Sequence, residues 1–87
     1  MTLKRKKEIR KLLGAYLKRH REEVLKIESV RQLSFSSNLD QSKLSKVEKG
    51  NIDIRIDTIV EIALTYRLKL KDIFNFEIEF WERESEQ

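Results

Sequence analysis

Between Gln41 and Lys46 the chain reads Gln-Ser-Lys-Leu-Ser-Lys, so that Gln41, Ser42, Lys43, Ser45 and Lys46 crowd one short stretch with hydrogen-bond donors and acceptors. The chemistry these side chains suit is recognition. Gln can pair with the N6 and N7 edge of adenine, Lys with O6 and N7 of guanine, and Ser with either purine. Around this row stand Arg31, Gln32, Lys49, Asn51 and Arg55. These suit phosphate oxygens, contacts that set register without reading sequence.

Such a row can read a surface only if a rigid helix presents it. Ser29 followed by Gln32 forms a capping box that starts a helix near Val30. Leu33 and Ser34 are expected to face inward, and Ser36-Ser37-Asn38 then breaks the helix, with Asn38 able to take left-handed geometry. Leu39 plugs the core and Asp40 caps the next helix, which runs from Gln41 to Lys49 with Leu44 and Val47 inward. Gly50 ends it. Two short helices joined by a tight turn, the second with a polar, cationic outer face, make a helix-turn-helix at about residues 29–50.

In this setting the segment LDQSKLSKVEKG, with IDTIVEIA and LKLKDIF after it, resembles the Cro and phage-repressor class of regulators, the XRE family. The resemblance covers about residues 13–74, with spacings that hold without gaps from Ser29 to Phe74. It implies an all-α, five-helix, lambda-repressor-like DNA-binding domain whose third helix enters the major groove. It also implies an ion pair between Arg21 of the first helix and Glu48 of the third, holding the reading helix in place. The sequence departs from the family at His20, where Leu is usual, and in three further places. The link Val24–Glu28 is about two residues longer and lacks a glycine, Val30 stands where Gln is common, and the connection Tyr66–Lys69 also lacks its glycine.

The remaining elements follow from periodicity. Ile9, Leu12, Leu13, Tyr16, Leu17, His20 and Val24 form one apolar stripe of a first helix, with His20 at its boundary. Gly14 interrupts this helix and calls for a close backbone approach. Ile56, Ile59, Val60, Ile62 and Ala63 mark a fourth helix, and Leu70, Ile73 and Phe74 a fifth. From Asn75 onward apolar and acidic residues alternate through Phe76, Ile78 and Phe80, which argues for a short C-terminal β-strand or extended arm. A lone strand needs a partner, and pairing with a second subunit is the simplest one. The domain is thus expected over residues 1–76, with 77–87 an acidic arm that serves dimerisation.

Composition narrows the function classes. At 87 residues the chain makes one small domain, a size at which dimerisation usefully adds stability. It has no Cys and a single His, so neither a disulfide framework nor a metal cluster is expected, and cytoplasmic residence fits. No apolar run is long enough for a membrane span or a secretory leader. Charge is uneven: residues 1–21 hold nine Lys and Arg against Glu8, while residues 77–87 hold five Glu against Arg83. A basic segment beside a groove-reading helix adds salt-dependent attraction to phosphate. The expectation is a non-enzymatic transcriptional regulator, needing no cofactor or small-molecule ligand, that binds double-stranded DNA as a homodimer. The alternative is an antitoxin or interaction module whose C-terminal arm binds a partner protein.

Overall fold

The computed structural model describes residues 3–76, and every regular element among them is helical. In chain order they are α1 (Leu3–Arg19), a π-helical turn (His20–Val24), α2 (Val30–Ser34), α3 (Gln41–Lys49), α4 (Ile56–Tyr66) and a 3₁₀ turn (Leu70–Asp72). The expected C-terminal arm, 77–87, lies outside the described residues. Among the described residues no helix is long and apolar enough to cross a membrane.

The side-chain N-caps of α2 and α3 form, though the Gln32 side chain does not reach back to complete the capping box expected at Ser29. Ser29 Oγ accepts from the backbone N–H of Gln32 at 3.1 Å, and Asp40 Oδ1 from that of Lys43 at 2.8 Å. The end of α3 is a Schellman turn: Gly50 takes φ 72°, its N–H bonds to the carbonyl of Val47, and the N–H of Asn51 bonds to that of Lys46. The turn between α2 and α3 differs from expectation, because Asn38 does not adopt positive φ. Ser37 makes it instead, its Oγ accepting from the N–H of Leu39 at 2.9 Å and bonding the buried Thr65 hydroxyl at 2.6 Å. Ser34 is half-buried and its hydroxyl donates to the carbonyl of Arg31.

One core joins Leu13 and Leu17 of α1, Leu33 of α2, Leu44 and Val47 of α3, Ile62, Ala63 and Tyr66 of α4, and Ile73. Each large aliphatic side chain so buried contributes about 1.5–3 kcal/mol. Around it, several stripe assignments need correction. The first helix tightens its phase only as far as Arg19; Leu25 then bonds back five residues to His20, a π turn that takes up chain length and rotates later side chains. Val24 is therefore exposed while Leu25 and Ile27 pack on the core. Leu12 is exposed as well. On α4, Ile56 and Val60 face outward and Tyr66 takes the place next to Ile62 and Ala63. The fifth helix is reduced to one 3₁₀ turn, after which Ile73 is buried while Leu70 and Phe74 stay exposed.

Two glycines let α1 and α3 touch. A Cβ on Gly14 would lie 2.6 Å from the carbonyl oxygen of Val47 and collide with that of Glu48. One on Gly50 would lie 2.8 Å from the α-carbon of Lys11. The backbone approach that Gly14 called for is thus made by the last turn of α3, and Gly50 returns it against α1.

Candidate nucleic-acid interface

Helix α3 is fixed from behind by a buried polar node. Arg21, in the π turn, and Glu48, in α3, are 4% and 6% exposed. Arg21 Nε and Nη2 donate to the two Glu48 carboxylate oxygens, each at 2.9 Å, and Nη1 donates to the carbonyl of Ile27 at 2.9 Å. Tyr66, the last residue of α4, donates its hydroxyl to Glu48 Oε2 at 2.7 Å. Among the described residues, no buried side-chain nitrogen or oxygen lacks a hydrogen-bond partner. Three helical elements therefore meet at one carboxylate, and the link after α1 joins the node through Arg21. The hydrogen bond from Arg21 to Glu48 holds the guanidinium above its ordinary pKa against the opposing effect of burial. Burial, and then Glu48, push the Tyr66 phenol well above its ordinary pKa. His20, beside Arg21, bonds the carbonyl of Tyr66 through Nε2 at 2.9 Å, so it sits at the core boundary as its place on the stripe implied.

Tyr66 is the member that sequence reading missed. It had a signal, since it continues the Ile62 and Ala63 stripe by one turn. Read from sequence it falls in the connection Tyr66–Lys69, whereas α4 runs on through Tyr66.

With Leu44, Val47 and Glu48 turned inward, the opposite side of α3 is open. Gln41, Ser42, Ser45 and Lys46 line one shallow groove along it, and Lys49 and Asn51 extend that groove past the helix end. Asp40 closes its other end, with one carboxylate oxygen already committed to the N-cap. Four of the five expected base-reading residues are thus brought together. Lys43 is exposed but lies outside the groove, because its position on the helix turns it toward the flank nearer Val47.

The five expected phosphate residues divide differently. Lys49 and Asn51 share the groove with Gln41, Ser42, Ser45 and Lys46. Arg31 and Gln32 on α2 and Arg55 at the start of α4 are exposed outside it. The Arg31 guanidinium sits 5.9 Å from the centre of the Phe35 ring, a cation–π contact at the exposed end of α2. No sequence-family profile, curated protein or solved structure matches the chain.

Proposed function

We propose that this protein is a sequence-specific DNA-binding transcriptional regulator of the helix-turn-helix type that inserts α3 into the major groove. The observation that carries this reading is the two-sided character of α3. One side is pinned through Glu48 to Arg21 and Tyr66, and the other presents Gln41, Ser42, Ser45 and Lys46 in a continuous open groove. A helix that reads base edges needs both, because discrimination between bases depends on donors and acceptors held in fixed positions. The finer fold reading goes with it: a five-helix, lambda-repressor-like domain of the XRE type in which the turn Leu70–Asp72 and Ile73 stand in for the fifth helix. The regulator works in the cytoplasm as a homodimer, which sets two reading helices about 34–36 Å apart on a pseudo-palindromic operator.

The alternative is a protein-interaction module such as an antitoxin. What favours it is a row of apolar side chains on the outer face of α4, where Ile56 is 73%, Val60 41% and Leu64 67% exposed, with Phe35 beside Leu64. Large exposed apolar groups in a row mark a protein contact, and homodimerisation uses such a face equally well.

Selection of binding sites from random duplex DNA, paired with sedimentation of the free protein, tests the proposal. The expected result is enrichment of a site with two related halves and a dimer in solution. No enrichment over scrambled competitor at moderate salt rejects the regulator reading, and a partner protein that copurifies and masks the α4 face favours the second.

A further inference from the structure

We propose that the first two turns of α1 form a second DNA contact, a sequence-independent one that lies along the phosphate backbone outside the base pairs met by α3. This rests on the regulator reading above and adds to it a surface on another helix.

The position of these turns is set by the glycine crossing. Gly50, at the end of α3, abuts Arg10 and Lys11 of α1, within 2.8–2.9 Å of where its own side chain would begin. Since α1 starts at Leu3, its stretch before that crossing is roughly 12 Å long at the rise of an α-helix. Lys49 and Asn51 flank Gly50 and line the α3 groove. The overhang therefore leaves the body beside the end of the reading face.

Its charges are arranged against its own stability. Lys4, Lys6, Lys7 and Lys11 are exposed, Arg10 is half-buried, Glu8 is the one acid among them, and the first turn holds no acidic residue. The positive end of a helix dipole disfavours cations. Lys6 with Arg10 and Lys7 with Lys11 are like-charged pairs one turn apart, a spacing that destabilises a helix. Leu3 is 61% exposed, so apolar burial does not compensate at the tip. A polyanion lying along the helix offsets the charge repulsions, and duplex DNA is the polyanion proposed above for the neighbouring groove. An anionic membrane surface fits less well, because Ile9 is half-buried in the body and the overhang lacks the broad apolar face that inserts into lipid.

The test uses the full chain and the triple variant K4Q/K6Q/K7Q, which keeps side-chain length and helix propensity. Binding is measured over a range of salt on two duplexes carrying the selected site, one with long flanks and one trimmed to the site. On the long duplex, the variant is expected to bind more than tenfold more weakly, with a salt slope smaller by about 2–3. Its preference for the site over scrambled sequence stays the same, and its melting temperature does not fall. On the trimmed duplex wild type drops to the level of the variant. An unchanged slope on the long duplex, with site-specific binding intact, overturns the second contact and leaves the regulator reading standing. Tighter wild-type binding to phosphatidylserine vesicles than to non-specific duplex also overturns it. Wild type that selects no site at all overturns both.

Discussion

Arg21 and Glu48 are joined by two parallel hydrogen bonds, each 2.9 Å long, and both side chains are almost wholly withdrawn from water. The pair spans from the π turn to the last turn of α3, so it fixes α3 against the body. Removing one member strands the other as a buried charge, which costs about 3–5 kcal/mol. Glu48→Ala is therefore expected to lower stability by that order in urea titration. Glu61→Ala, at a half-buried site bonded to Asn38 near the surface, should move it by about 0.5–1 kcal/mol. Equal midpoints for the two variants would show that the pair does not carry the load assigned to it.

Tyr66 ties the same carboxylate to α4, and its phenol is held neutral by burial and by Glu48. Its folded pKa lies above the unfolded value of about 10, so its contribution is complete below pH 10 and is lost as pH rises beyond that. Tyr66→Phe should destabilise the protein by about 1.5–3 kcal/mol at neutral pH, the range for a hydrogen bond to a charged group. The gap between wild type and variant should then narrow above pH 10. Tyr16 shifts in the same direction, chiefly by burial and then by Asp72, but it is present in both proteins and cancels. A gap that widens with alkaline pH contradicts this account.

Gly14 sets how closely α1 and α3 approach. Alanine there improves helix propensity by up to about 1 kcal/mol, yet its methyl group enters the space of the Val47 and Glu48 carbonyls. Backbone cannot swing aside as a side chain can, so Gly14→Ala should be net destabilising by about 1–3 kcal/mol. It should also weaken DNA binding, since the displaced atoms belong to α3, the helix proposed to enter the groove. Calorimetry of the variant checks the first part and binding to the selected site checks the second.

Arg67 ends α4 in left-handed geometry, φ 56° and ψ 45°, with the N–H of Leu68 bonded back to Ala63 in the manner of a Schellman turn. A side chain in that conformation costs roughly 1–2 kcal/mol, and its exposed guanidinium leaves the backbone demand unchanged. Arg67→Gly is expected to raise stability by about 0.5–1 kcal/mol after the larger chain entropy of glycine is counted. At this domain size that is a rise of several degrees in melting temperature, on the order of 2–8 °C. A fall would show that the arginine side chain has a role beyond the turn.

The division of labour at the interface is open to the same kind of test. Gln41 lies in the groove and Arg55 outside it. Gln41→Ala should change which base is preferred at one position of the selected site, with about 1–3 kcal/mol of discrimination lost there. Arg55→Ala should weaken all sequences alike and reduce the salt slope by about 1. Uniform losses for both variants would reject the assignment.

Local chemistry alone was enough to place the helix-turn-helix caps. Ser29, Asp40 and Gly50 act through backbone groups within three or four residues of themselves, so α2 and α3 could be read directly. The inward faces of α3 were legible for a related reason, since Leu44 and Val47 follow the helix period inside a single unbroken helix. Other features depend on atoms far apart in the chain. The π turn that exposes Val24 and seats Leu25 arises where Arg21 must reach Glu48, 27 residues away. Asn38 lost its expected left-handed turn because Ser37 found Thr65, 28 residues on. The outward row on α4 escaped notice because periodicity shows that a helix has an apolar face, while only the packed neighbours decide which apolar residues it covers. Sequence determined which segments become helices and which side chains are capable of recognition. Tertiary contact decided their phase, their spacing and the buried node behind α3, because these come from interactions that exist only once distant segments meet.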